Sequence, residues 1–262
     1  MPQLISMSEA GVLELRQYTL RPGTRADLVT LFERELIEPQ EAAGMTVGGL
    51  FLDRDDADRF VWFRGFADSA SRRRALETFY YGPVWEQHRD DANATMLDSD
   101  DVLLLRPTEP ARPAPDPATS RPGVEVTAPS DEWVTVSTYV HDPDPALTSW
   151  LTTDVHAEVE RLLGVPVAAY RTDPAENTFP ALPVRPDHAF VWMAAFPDEG
   201  TYDEASRRLE ESRTWRQDIE PRLRNRLNGR QVLRLQPTAR SQHPASGAAA
   251  FPSSLERSDE AG

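Results

Sequence analysis

Cysteine and lysine are both missing from the 262 residues, and each absence removes chemistry. Without cysteine there is no disulfide, thiolate nucleophile, Cys-ligated zinc or iron–sulfur cluster. Without lysine there is no Schiff base and no phosphate-loop lysine, which excludes pyridoxal-phosphate enzymes and P-loop NTPases. All 28 basic residues are arginine, and with abundant Ala and Pro that is the bias a GC-rich genome writes. No apolar run approaches the roughly 18 residues that span a bilayer, and Met1-Pro2-Gln3-Leu4-Ile5-Ser6 lacks the regions of a signal peptide. A cytoplasmic protein with no membrane partner is expected. The net charge of −15 repels phosphate backbones, so nucleic acid is not an expected partner. The run Arg72-Arg73-Arg74 lies in a helical stretch and reads as a solvated face.

What is present is an internal repeat. Val61-Trp62-Phe63-Arg64-Gly65-Phe66-Ala67-Asp68 returns 130 positions later as Val191-Trp192-Met193-Ala194-Ala195-Phe196-Pro197-Asp198. Trp85 returns as Trp215, and Val102-Leu103-Leu104-Leu105-Arg106-Pro107-Thr108 as Val232-Leu233-Arg234-Leu235-Gln236-Pro237-Thr238, at the same spacing. Leu13 to Tyr18 matches Val134 to Tyr139 at the smaller spacing of 121. The difference falls mainly in the proline-marked connection from Thr172 to His188. The expected organisation is an N-terminal extension (1–11), a first module (12–107), a Pro-rich linker (108–131), a diverged second module (132–237) and a disordered tail (238–262).

Each copy reads strand, helix, strand, strand, helix, strand. In the first, residues 12–20 alternate as a strand and Leu28, Leu31, Phe32 and Leu36 stripe a helix ending near Gly44. A hairpin over 46–53 and 60–66 follows, then a helical region from Ser69 to about Met96 broken at Gly82-Pro83, and a last strand to Pro107. The second copy repeats this, with Asp144-Pro145 opening its first helix, Gly164 closing it, and a kink at Pro221 in its second. The order βαββαβ predicts an α+β fold of two tandem ferredoxin-like modules with antiparallel sheets. Two such sheets can close their bare faces into a barrel, within one chain or in a homodimer.

Period-two alternation divides each strand into two sets. Leu13, Leu15, Val61, Phe63, Leu103, Leu105, Leu233 and Leu235 are expected to face the helices. That leaves Glu14, Arg16, Tyr18, Trp62, Arg64 and Phe66 on the open side, with Tyr139, His141, Trp192, Phe196, Arg106 and Arg234. Aromatic walls with sparse ionisable groups make a ligand pocket. The alternative is an ordinary core in which Glu14 pairs with Arg16 or Arg64. Because Thr135, Ser137 and Ala194 replace Glu14, Arg16 and Arg64 in the second copy, a single pocket dominated by the charged first copy is expected.

The opening Glu14-Leu15-Arg16-Gln17-Tyr18-Thr19-Leu20-Arg21-Pro22-Gly23 resembles the E-L-R-x-Y-x-L-x-P-G opening of the NIPSNAP family. The resemblance is close over 12–107 and weak over 132–237, where the P-G turn is lost. It implies the dimeric α/β-barrel superfamily, which also holds cofactor-independent monooxygenases, isomerases, polyketide cyclases and haem enzymes. No catalytic residue is carried over from that opening.

The residues suggest a cofactor-independent enzyme of bacterial specialised metabolism, moving a proton on a hydrophobic or aromatic small molecule. Arg16, Arg64 and Arg234 would hold an anionic oxygen, Tyr18 and Tyr139 would donate hydrogen bonds, and His88 or His141 would act as base. Glu14, Trp62, Phe66, Trp192 and Phe196 would line the site, with no metal. A non-catalytic binding module and a haem protein with His88 or His141 as axial ligand are the alternatives. His156-Ala157-Glu158 lacks the cysteines of a zinc deaminase, and no G-x-S-x-G or G-x-G-x-x-G motif occurs.

Overall fold

The alternating, β-branched and aromatic segments form eight strands, and capped amphipathic segments form the helices between them. A computed structural model describes residues 10–108, 121–173 and 176–243. The first half contains β1 (Val12–Leu20), α1 (Arg25–Leu31), a π-helical turn (Phe32–Leu36), α2 (Ile37–Ala42), β2 (Thr46–Asp53), β3 (Arg59–Phe66), α3 (Ser69–Tyr80), α4 (Pro83–Thr95) and β4 (Met96–Pro107). The second half repeats the order: β5 (Trp133–His141), α5 (Pro145–Trp150), a π-helical turn (Leu151–Val155), α6 (His156–Leu163), β6 (Val167–Thr172), β7 (Ala189–Phe196), α7 (Glu199–Glu211), a π-helical turn (Trp215–Ile219), α8 (Glu220–Arg224) and β8 (Leu227–Pro237).

Local chemistry sets the boundaries. Asp68 and Asp198, one repeat apart, cap α3 and α7 by accepting from Ser71 N at 2.6 Å and Thr201 N at 2.7 Å. Gly44 and Gly164 follow α2 and α6 at φ +99° and +72°, a conformation costly for a residue with a Cβ. Proline opens α4 at its first turn, as the break at Gly82-Pro83 predicts.

The strands run β1-β3-β2-β8-β5-β7-β6-β4 around one closed barrel, every neighbouring pair antiparallel. Two short seams join the halves. Phe51, Leu52 and Asp53 pair with Pro237, Gln236 and Leu235, while Leu105, Arg106 and Pro107 pair with Thr172, Arg171 and Tyr170. Closure therefore occurs within the chain, and among the described residues no strand has an unpaired edge. No helix among the described residues is long and apolar enough to cross a membrane.

The two faces are the reverse of those expected from alternation. Leu13, Leu15, Val61, Phe63, Leu103 and Leu105 meet Val134, Val136, Val191, Met193, Leu233 and Leu235 in one buried cluster drawn from strands of both halves, which is the barrel lumen. Tyr18, Trp62 and Phe66 pack instead with Leu28, Phe32, Leu36, Leu76 and Phe79 of the helices, and Tyr139, Trp192 and Phe196 do so in the second half. Alternation separates two sets of residues without saying which set meets the helices. An eight-stranded barrel is filled by its own side chains, and its lumen suits the purely apolar set because ionic groups would find few partners there.

Three further differences concern the connections. Arg72 is buried rather than solvated, while Arg73 and Arg74 remain exposed. The expected tail starts later, because residues 238–243 dock on the first half: Thr238 N donates to Leu50 O at 2.9 Å, and buried Arg240 pairs with Glu38 and bonds the Glu33 carbonyl. The end of the expected linker is anchored too, through Arg121 Nη2 to Val47 O at 2.7 Å. The rest of that linker (109–120), the remainder of the tail (244–262) and the extension through residue 9 lie outside the described residues.

A lumen shared by both halves should make unfolding a single event. Phe63→Ala is expected to cost about 3–5 kcal/mol by urea denaturation while leaving one cooperative transition. Two separated transitions would show that the halves are independent.

Candidate functional site

In the first half the space between sheet and helices is filled by ions. Glu14 on β1 is fully buried and meets three guanidiniums: Arg16 Nη1 at 2.7 Å, Arg64 Nε at 2.8 Å and Arg72 Nε at 2.6 Å. The spacing places them there. Glu14 and Arg16 are two apart on one strand face, Arg64 is the cross-strand partner of Glu14, and α3 brings Arg72 down from above. Arg16 Nε also donates to the Tyr18 hydroxyl at 3.1 Å, and Arg64 Nη1 to Gln40 Oε1 at 3.3 Å and Tyr80 OH at 3.4 Å. Burial alone would raise the Glu14 pKa, but attraction to Arg64, Arg16 and Arg72 outweighs it and holds the carboxyl far below its ordinary value. Trp62 packs edge-on against Phe32 with ring centres 4.8 Å apart. A void of about 20 Å³ lies beside Tyr18, Gln40, Trp62 and Tyr80.

The connection between β6 and β7 in the second half closes this region. Asn177 Oδ1 accepts from Arg72 Nη1 at 3.0 Å, and Phe179 stacks on Tyr80 at 6.0 Å. The extra length of the second copy therefore seals the first.

The second half keeps the aromatic frame and loses the ions. Tyr139, Trp192, Phe196 and Trp215 stand where Tyr18, Trp62, Phe66 and Trp85 stand in the first half. Thr135, Ser137, Ala194 and Tyr202 replace Glu14, Arg16, Arg64 and Arg72. The strand register is the same, with Thr135 opposite Ala194 and Ser137 opposite Trp192. Shortening three long side chains without moving the walls leaves a cavity of about 420 Å³, lined by those residues together with Arg216, Glu220 and Arg230. A second hollow of about 330 Å³ adjoins it and shares Tyr139, Glu220 and Arg230. Part of the wall is the π-helical turn Trp215–Ile219, a local widening that often accompanies functional sites.

Two side chains that carry hydrogen-bond donors, Tyr139 and Trp192, line this cavity. The buried Trp192 Nε1–H has no acceptor among the described residues. Burial raises the Tyr139 pKa, with Arg230 and Ser137 acting in the opposite direction, so its phenol is protonated at neutral pH. Tyr139 and Trp192 contact edge to face, ring centres 4.9 Å apart, which groups the two donors.

The residues expected to form one site thus divide among several places. Glu14, Arg16, Tyr18, Trp62, Arg64 and Phe66 are together, in the filled first half; the alternative paired Glu14 with Arg16 or Arg64, and Glu14 meets both and Arg72 as well. Tyr139, Trp192 and Phe196 line the open cavity of the second half. Arg234 joins neither group: it is exposed and bridges to Asp55 across the β2–β8 seam, Nε to Oδ2 at 2.8 Å. His88 lies on α4 with Nε2 3.9 Å from Glu35 Oε2. His141 Nδ1 is 2.7 Å from the Asp142 carbonyl. Neither histidine lines the cavity, so both proposed bases, and the axial ligands a haem reading needs, are absent from its walls. No cluster of three or more His, Asp or Glu side chains among the described residues is placed to hold a metal. Glu220 and Arg230 were not anticipated from the sequence, although Arg230 lies opposite Tyr139 across the β5–β8 pair.

Residues 13–111 match the NIPSNAP family model. No curated protein matches the chain in sequence. Among solved structures, a Fusobacterium nucleatum protein described as a "putative monooxygenase" aligns with a TM-score of 0.55 at 7% identity, covering 87% of this chain and 92% of that one. A protein with the same description from Lactobacillus acidophilus gives 0.52 at 11%, covering 88% and 97%. An anthrone oxidase-like protein gives 0.53 at 12%, covering 95% and 100%. At these identities the likeness is one of fold.

The Glu14 cluster makes stability depend on pH with a definite sign. A carboxyl whose pKa is depressed by folding stabilises above its unfolded value, 4.5, and that contribution is lost as pH falls below it. Glu14→Gln is expected to cost about 3–5 kcal/mol near neutral pH, because it leaves buried guanidiniums uncompensated. Urea midpoints followed from neutral pH into acid should converge for the two proteins; parallel curves would contradict the role given to Glu14.

Proposed function

We propose that this protein binds a hydrophobic or aromatic small molecule in the second-half cavity and moves a proton on it without a cofactor. The observation that carries the reading is the cavity itself. It arises where the repeat exchanges Arg16 and Arg64 for Ser137 and Ala194, and its size falls within the about 300–1,000 Å³ usual for small-molecule pockets. Aromatic walls suit a planar ligand. A carbonyl or phenolic oxygen of that ligand would accept from Tyr139 O–H, with the Trp192 ring as the adjoining wall.

Isomerisation, cyclisation and oxygen insertion share one first step, transfer of a proton to a base from a carbon α to, or conjugated with, the carbon that bears such an oxygen. Charge then develops on the oxygen, where fixed donors in a partly dry site stabilise it. Glu220 is the carboxylate we assign as base, in place of the histidines, because it lines both parts of the cavity near Tyr139. The fold likeness to proteins described as monooxygenases and to an anthrone oxidase-like protein is compatible with aromatic ketone chemistry. We also read each half as a ferredoxin-like module, on the strand orders β4-β1-β3-β2 and β8-β5-β7-β6 within the barrel.

A second reading, a binding module without turnover, is favoured by one observation: Glu220 is half-exposed and held by Arg224 at 3.2 Å, a weaker setting for a base than a dry pocket. Anthrone serves as probe for both readings. Ala194→Leu refills the cavity and should abolish binding measured by tryptophan quenching. Tyr139→Phe should preserve binding and lower kcat/KM about 100-fold. Saturable binding with no turnover would favour the module, and binding unaffected by Ala194→Leu would reject the cavity for either reading.

A further inference from the structure

The cavity of the second half is apolar in its depth and cationic at its opening. Trp192, Ala194 and Phe196 in its wall are buried, whereas Arg216 and Arg230 are exposed. The opening lies along β8: Val232, also in the wall, is 39% exposed, while its counterpart Val102 is fully buried beside the β6–β7 connection, whose Arg185 N donates to Val102 O at 2.8 Å. Arg230 stands two residues before Val232 on the same strand face, opposite Tyr139. Its guanidinium carbon is 5.7 Å from the Tyr139 ring centre.

With a net charge of −15, acid partners are plentiful in this chain, yet among the described residues neither Arg216 nor Arg230 forms an ion pair with a carboxylate. Glu220, which lines the same wall, is held by Arg224 at 3.2 Å, and Glu210 pairs with neither arginine. The repeat supplies a second observation. At the spacing of 130 that relates Trp85 to Trp215 and Val102 to Val232, the counterparts of Arg216, Glu220 and Arg230 are Glu86, Asp90 and Asp100. Two acids have thus become arginines around the cavity that the same divergence opens. In the smaller hollow Arg224 and Arg230 stand with one acid, Glu220, so a single further carboxylate would balance the set.

We propose that the ligand of this cavity is an aromatic carboxylate, with its rings against Trp192 and Phe196 and its acid group on Arg230, where the two hollows meet. The inference rests on the reading of the cavity as a small-molecule site and names its substrate class. A guanidinium pairs with a carboxylate through two parallel hydrogen bonds, which fixes orientation as well as adding attraction. Because Arg230 adjoins Tyr139, holding the acid group there selects which oxygen of the ring system reaches the Tyr139 hydroxyl. An acid group at the opening also keeps its own hydration in part, while the rings are taken out of water.

Tryptophan quenching titrations of the full chain with anthraquinone-2-carboxylate and anthraquinone-2-carboxamide, alike in shape and different in charge, test this. The carboxylate is expected to bind about tenfold more tightly or better at low salt, and the ratio should narrow as salt screens the exposed guanidinium. Arg230→Gln should bring the ratio to about one, the value for a site that no longer reads charge. Ala194→Leu, which fills the cavity, separates the two possible failures. If it abolishes carboxamide binding, the cavity is the site, and equal affinities for the two probes, or a ratio that Arg230→Gln leaves intact, overturn the carboxylate proposal alone. Binding of neither probe rejects the cavity reading and this proposal with it.

Discussion

Closure of eight strands into one barrel is the constraint from which the rest follows. The lumen has to be filled from both halves at once, and it is filled mainly by Leu, Val, Phe, Met and Ala, which need no hydrogen-bond partner. Tyr18 and Trp62, and with them the Glu14 cluster, are thereby directed outward, under the helices. Glu14 can meet Arg72 only because both lie on that outer side. The repeat thus yields two sheet–helix compartments on the outside of one shared core, rather than one pocket inside it.

Much of the fold is legible in the residues. The register of the repeat, the aspartate caps, Gly44, Gly164 and the break at Gly82-Pro83 each carry local physics that the chain obeys without tertiary help. The direction of each strand face is different, because alternation is symmetric under exchange of its two faces. A better clue was available in the polarity of the sets: Leu13, Leu15, Val61 and Phe63 have no polar member, which suits a closed lumen, whereas Glu14, Arg16 and Arg64 need partners from another layer. The role of Arg72 was hidden because the run reads as one charged patch, although Arg72 alone stands one turn before Leu76 on the face that Leu76 and Phe79 bury.

The divergence between copies keeps its importance but changes sign. Charge in the first copy suggests a ligand site, yet four charged side chains brought together pair around Glu14 and occupy the space. Loss of charge in the second copy creates room under the same aromatic frame. Glu220 and Arg230 were not legible as site residues because they come from α8 and β8, far in sequence from Tyr139, and only the β5–β8 pairing joins them to it. The added length between β6 and β7 has a related effect, because its Asn177 and Phe179 close the first half. One copy becomes a filled, covered scaffold and the other a receptive one.

The direct measurement of this asymmetry is a crystal structure of the chain with an aromatic ketone bound. The account predicts ligand density between β5, β7 and the Trp215 turn, its oxygen within hydrogen-bond distance of Tyr139, and Glu14 still enclosed by its arginines. Ligand in the barrel lumen, or in the first half with the Glu14 cluster displaced, would contradict it.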